Sequence, residues 1–100
     1  MTVTEEIDLF REITEEMAEI FAKKREDYGQ TTTDTYNKFG PVSLLIRMHD
    51  KLGRLDNLLC FSEKNPKNEA VQDTLLDLAN YAIIAYIELE KAKHRLVSSN

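Results

Sequence analysis

Three acidic residues recur at every fourth position near the start of the last predicted helix of this 100-residue chain. Glu69, Asp73 and Asp77 therefore stack along one helical stripe, which Asn80 and Tyr81 extend. The first two acids suit the positive end of the helix dipole, whereas Asp77 lies among leucines. Because an unpaired carboxylate is costly in apolar surroundings, we expect a cation, a metal ion or a hydrogen-bond network opposite Asp77.

Basic residues follow one face of the preceding predicted helix. Arg47, Lys51 and Arg54 are separated by four and three residues, and Asp50 shares their face. Their spacing fits two interpretations. Pairs within the helix, such as Asp50 with Arg54, would describe a solvated surface. Alternatively, the arginines offer fork-shaped donors to phosphate oxygens.

Aromatic residues flank a polar, threonine-rich connection over residues 29–40. Tyr28 and Phe39 are the candidates for ligand contact there. An exposed aromatic ring at such a position either stacks on a nucleobase or anchors the connection to the core. The connection is long for a turn between two packed helices, and long ordered connections often carry function.

Three long helices must position these groups, with the long connection between the first two. The first is predicted over about residues 4–28, with Thr2 and Glu5 as a capping box. The second opens at Gly40–Pro41, and the third runs from about Glu69 to Arg95. We therefore expect residues 1–100 to form one all-α domain, a helical bundle.

The third predicted helix is apolar nearly all round between residues 75 and 87, so we expect it to be the most buried element. Its predicted core residues include Leu75, Ala82, Tyr86 and Leu89. This is more apolar surface than a three-helix monomer easily covers, which predicts that a homodimer or homotetramer completes the bundle.

The composition narrows the class of partner. The net charge of −5 argues against a nucleic-acid duplex or an anionic membrane as the main partner, but a few local cations suffice for a small phosphorylated ligand. No apolar run approaches the ~20 residues that span a bilayer, and Met1–Phe10 is too acidic for a signal peptide. We expect a soluble, cytoplasmic protein in which the single cysteine, Cys60, is buried.

Four segments taken together resemble the nucleotide-modification-associated domain family, which phages often encode. These segments are Asp27-Tyr28-Gly29, Phe39-Gly40, IRMHDKLGRLDNLL over residues 46–59 and DTLLDLANYAIIA over residues 73–85. The resemblance covers roughly residues 10–90. This family is in turn similar to the MazG-like all-α nucleotide pyrophosphohydrolases.

The resemblance implies a helical bundle, usually oligomeric, that binds or processes nucleotides. MazG-like enzymes hold magnesium with two acidic pairs on adjacent helices and hydrolyse a nucleoside triphosphate to the monophosphate and pyrophosphate. Asp73 and Asp77 match the second pair, although four residues separate them rather than three. The segment DKLGR over residues 50–54 stands where the first pair is expected.

The first functional hypothesis is therefore a magnesium-dependent pyrophosphohydrolase that acts on a modified or ordinary deoxynucleotide. Asp50, Asp73 and Asp77 would bind Mg²⁺, with Asp73 and Asp77 also assigned as catalytic, while Lys51 and Arg54 would hold phosphates. The other candidate substrate contacts are Arg47, Asn80, Tyr81, Tyr28 and Phe39.

The second hypothesis is a non-catalytic nucleotide-binding protein. In it, Asp77 pairs with Arg54 or Lys51 to order the site, and the basic residues, together with Arg47, clamp phosphates. Such a protein would escort a modified nucleotide or sequester a nucleotide signal during infection. Turnover with magnesium would favour the enzyme, and tight binding that survives a chelator would favour the binding protein.

Overall fold

A computed structural model describes residues 1–28, 30–61 and 68–98 of the chain. Within these ranges every regular element is helical, which confirms the all-α class. The elements are α1 Val3–Tyr28, α2 Thr31–Phe39, α3 Val42–Asp56, a π-helical turn Asn57–Phe61 and α4 Asn68–Ser98. The count is thus four α-helices rather than the predicted three, because the connection after α1 contains α2. No helix in the described ranges is both long enough and apolar enough to cross a membrane.

The first 31 residues form a compact unit of their own, which is essentially α1. The helix begins with two reciprocal bonds between Thr2 and Glu5. The Glu5 backbone N–H donates to Thr2 Oγ1 at 3.1 Å, and the Thr2 N–H donates to Glu5 Oε1 at 3.2 Å. Side chains thereby satisfy backbone donors that the helix itself leaves free, which confirms the predicted capping box.

A tight turn joins α2 to α3 within the second unit, residues 32–100. Gly40 has a φ of 78°, a conformation that glycine adopts at little cost, and its N–H donates to the Tyr36 carbonyl at 2.7 Å. Pro41 precedes the first residue of α3, and Ser43 Oγ donates to the Gly40 carbonyl at 2.8 Å. These contacts confirm that a new helix starts at Gly40–Pro41.

The core of the second unit places α3 against α4, with Leu44 and Leu55 of α3 buried. On α4 the buried residues are polar, since Thr74 and Glu88 are each only 2% exposed. The predicted core positions Leu75, Ala82, Tyr86 and Leu89 are instead exposed. That assignment was wrong because a helix that is apolar nearly all round carries no periodic signal for the face that packs inward.

Cys60 is exposed, which corrects the prediction that it is buried. It lies in the π-helical turn Asn57–Phe61 that continues α3. A π-helical turn closes its hydrogen bonds over one more residue than an α-helical turn, so it rotates the side chains that follow away from the expected face. The neighbouring Leu59 is exposed as well.

Candidate functional site

Side chains of α3 and α4 meet in three cross-helix contacts, which we call the α3–α4 ladder. Its rungs are Arg47–Tyr81, Lys51–Asp77 and Arg54–Thr74. The α3 members advance along the chain by four and then three residues, while their α4 partners go back by four and then three. The two helices therefore run antiparallel here, and the ladder extends about 10 Å along the helix axis.

The central rung is an ion pair between the helices. Lys51 Nζ lies 3.3 Å from Asp77 Oδ2, and the two side chains are 29% and 43% exposed. Lys51 is thus the cation opposite Asp77, but the carboxylate is half exposed rather than buried among leucines. Since water screens such a pair, it contributes roughly 0.2–1 kcal/mol to stability, not the several kcal/mol of a buried pair.

The second rung fixes the orientation of an arginine. Arg54 Nε donates to Thr74 Oγ1 at 3.1 Å, and the same hydroxyl donates its only proton to the Ala70 carbonyl at 2.8 Å. Thr74 is almost fully buried, so its position is set by the packing of α4. The outer edge of the Arg54 guanidinium, formed by its two terminal nitrogens, has no hydrogen-bond partner among the described residues.

The third rung holds a second guanidinium against an aromatic ring. The guanidinium carbon of Arg47 lies 5.8 Å from the centre of the Tyr81 ring, within range of a cation–π interaction. Tyr81 is half-buried, whereas Arg47 is exposed. Because stacking uses the face of the guanidinium, its N–H donors at the edge stay available to a ligand.

The ladder is a local concentration of positive charge. It contains three cations and one carboxylate in a chain whose net charge is −5. Among the described residues, neither Arg47 nor Arg54 has a carboxylate within ion-pair distance. Two arginines that keep unpaired donors beside a half-exposed lysine form an arrangement suited to an anion, and phosphate oxygens match the arginine fork best.

The other predicted contact residues do not join the ladder through any hydrogen bond or ion pair. Asp50 and Asp73 are exposed, and Asn80 is half-buried next to Tyr81. Phe39 is 61% exposed at the end of α2. Tyr28 is the last residue of α1, and its side chain lies outside the description.

A metal site needs several oxygen ligands that converge on one point. No group of three His, Cys, Asp or Glu side chains with that arrangement occurs in the part of the chain that the structure describes. Asp77 pairs with Lys51, and the predicted co-ligands Asp50 and Asp73 are exposed on different helices. The three aspartates of one chain therefore do not fit a shared Mg²⁺, and magnesium stays a prediction from the resemblance.

A second polar cluster, formed by Thr33, Glu88 and Lys91, ties α2 to α4. Glu88 Oε1 accepts from Thr33 Oγ1 at 2.8 Å and from Lys91 Nζ at 3.1 Å, and Lys91 also donates to Thr33 Oγ1 at 3.2 Å. Glu88 is 2% exposed, and its Oε2 is buried without a hydrogen-bond partner. We call this group the Glu88 cluster.

The sequence did contain a signal for both residues that were missed on α4. Thr74 lies seven residues before Tyr81, and Glu88 lies seven residues after it. Residues seven apart share a helix face, so Thr74 and Glu88 extend the stripe that Asp77 and Tyr81 had already defined. Polar residues that recur on one face of an otherwise apolar helix mark the face that packs on other polar groups.

Comparison with curated proteins and with solved structures gives no match. A family model described as nucleotide modification associated domain 1 matches residues 24–89. The matched range begins near the end of α1 and includes every residue of the ladder and Glu88. The motifs had indicated the same family, and the match extends over about two thirds of the chain. The chain belongs to the nucleotide modification associated domain 1 family.

Proposed function

We propose that the protein binds a nucleotide and that the α3–α4 ladder holds its phosphate groups. The observation that supports this most strongly is the pair Arg47 and Arg54, which keep unpaired donors on either side of a half-exposed ion pair. The family description adds the nucleotide, since phosphate recognition alone would fit many anions.

The two arginines are prepared for phosphate in different ways. Thr74 holds Arg54 through Nε, so that its outer edge presents two parallel N–H donors to two oxygens of one phosphate. Tyr81 supports the face of Arg47. An arginine that is already held in place loses less side-chain entropy when the ligand binds. Because the arginines are two helical turns apart, they suit successive parts of a polyphosphate rather than a single phosphate.

Lys51 lies between the two arginines and adds a third positive charge. Its ammonium is shared with Asp77 at 3.3 Å, so the ion pair both positions Lys51 and reduces the net charge of the site. A bound phosphate would compete with Asp77 for Lys51. We assign the base contact to an exposed aromatic ring, Phe39, with Tyr28 as the second candidate; both assignments stay predictions.

Pyrophosphate hydrolysis is the activity that similarity to MazG-like enzymes implies. In this chain, however, Asp77 is an ion-pair partner and the predicted metal ligands do not converge. The geometry therefore supports binding better than hydrolysis. We favour a protein that escorts or sequesters a nucleotide, with hydrolysis as the outcome that would replace this proposal.

The test is calorimetric titration of the full chain with nucleoside mono-, di- and triphosphates, with and without a chelator. We expect affinity to rise with the number of phosphates and to survive the chelator. Arg54→Ala should weaken triphosphate binding about 10- to 100-fold, which corresponds to one or two charge-assisted hydrogen bonds.

The matched control is Arg11→Ala, which removes an exposed arginine from α1. It should change affinity less than about twofold, because the arginine it removes is no part of the ladder and screened charges act weakly at a distance. Equal losses in the two variants would contradict a phosphate site at the ladder. Magnesium-dependent release of pyrophosphate that Asp77→Asn abolishes would establish the enzyme instead.

A further inference from the structure

The outward face of α4 is apolar and follows a regular spacing. Leu75, Ala79, Ala82, Tyr86 and Leu89 are separated by four, three, four and three residues, and all five are exposed. We call this set the outer stripe. Alternate spacings of three and four keep side chains on one seam, and such a seam packs against another helix.

The amphipathic pattern of α4 is therefore reversed with respect to its own chain. The positions buried against the rest of the unit include Thr74 and Glu88, whereas Tyr86 is 68% and Leu89 is 50% exposed. Exposed apolar surface that is contiguous along a helix indicates an interface rather than ordinary solvent-facing surface. We propose that a second copy of this chain covers the outer stripe, with the two α4 helices antiparallel.

The stripe complements itself about its middle residue. Leu75 lies seven residues before Ala82 and Leu89 lies seven residues after it, so an antiparallel copy sets each leucine beside the partner's other leucine. On the same axis, the large Tyr86 comes next to the partner's small Ala79. Ala82 meets its own counterpart, where a small side chain lets the helices approach closely.

The charges of α4 choose a second copy and its direction. The first part of the helix, residues 68–78, contains three acids and no base, whereas residues 91–95 contain three bases and no acid. An antiparallel pair sets each acidic end beside a basic end, and it also sets opposite ends of the helix dipoles together. A parallel pair would oppose like charges at both ends. Glu69, Asp73 and Lys93 are exposed and available for these contacts.

Sedimentation equilibrium of the full chain tests the pairing. We expect a mass of about twice 11.6 kDa at micromolar concentration. Ala82→Glu should raise the dissociation constant at least about 100-fold, because it sets two carboxylates against each other in an apolar seam. Circular dichroism should show the same helix content, since position 82 is exposed in the single chain.

His49→Glu is the matched control, because it adds the same carboxylate at an exposed position of α3. It should leave the mass of the assembly unchanged. A wild-type chain that stays at 11.6 kDa up to about 100 μM, above the dissociation constants of most specific complexes, would overturn the proposal. So would a dimer that Ala82→Glu leaves intact, since that dimer would use another face.

A charge exchange tests the direction of the helices. Glu69→Lys makes both ends of α4 basic and should weaken the dimer about tenfold, as like charges then meet. Adding Lys93→Glu to the same chain should restore the dimer, because each basic end again meets an acidic end. Failure of the second change to restore association would overturn the antiparallel arrangement. These outcomes do not depend on nucleotide binding.

Discussion

The two polar clusters of α4 use the same kinds of side chain in opposite settings. In the Glu88 cluster, the carboxylate is 2% exposed and is held by Thr33 and Lys91. In the ladder, the Asp77 carboxylate is 43% exposed and its lysine partner 29%. A buried, fully engaged pair ties helices together, whereas a half-exposed pair can exchange partners with a ligand. Burial, not residue type, thus separates the structural cluster from the candidate binding site.

The largest effect is expected at Lys91. Lys91→Ala would leave the Glu88 carboxylate buried with Thr33 as its remaining partner, and an uncompensated buried charge costs about 3–5 kcal/mol of unfolding free energy. Urea denaturation would measure the loss. Lys93→Ala is a close control, because Lys93 pairs with Glu90 at 3.2 Å over the same three-residue spacing, but in the open. Its cost should be about 0.5 kcal/mol, and equal losses would show that burial does not separate the two clusters.

A smaller effect of opposite sign is expected at Gly53 on α3, the helix that supplies the cations of the ladder. A Cβ at Gly53 would meet no atom within 4 Å, so no close backbone contact requires glycine there. Gly53→Ala should therefore stabilise the chain by about 1 kcal/mol, the difference between these residues inside a helix. A rise in the melting temperature would show it. Loss of stability would reveal a contact that the single chain lacks.

The smallest effect on stability is expected at the centre of the ladder. Asp77→Asn should cost about 0.5 kcal/mol, because the ion pair is half exposed. Its effect on binding should be larger and opposite, since removing the carboxylate releases Lys51 and adds net positive charge. We expect nucleotide affinity to rise about two- to tenfold in the same titration. Weaker binding would instead mean that Asp77 itself contacts the ligand.

Much of the fold follows from local signals in the sequence. The Thr2–Glu5 capping box and the Gly40–Pro41 helix start were predicted because they depend on neighbouring residues alone. Helix α2 was predicted as a connection, since its threonines have low helix propensity and its packing on α4 involves residues more than fifty positions away.

The candidate site was predictable in its composition but not in its pairings. Helical spacing placed Asp77 and the basic face of α3 on suitable stripes, but only the crossing of α3 and α4 decides that Lys51, rather than Arg54, meets Asp77. Thr74 was missed because a threonine in a helix has no distinctive pattern. The inward face of α4 was misassigned because it is the more polar one.

The contrast between the acidic chain and its cationic ladder has a consequence for kinetics. A net charge of −5 repels an approaching polyphosphate at long range, while the excess of two positive charges in the ladder attracts it only nearby. Salt shortens the Debye length from about 30 Å at 0.01 M to about 10 Å at 0.1 M, so it suppresses the distant repulsion first. Nucleotide association should therefore be fastest at an intermediate ionic strength, unlike the steady decline of a uniformly basic protein. The same long-range repulsion would keep long nucleic acids away from a cleft that admits a single nucleotide.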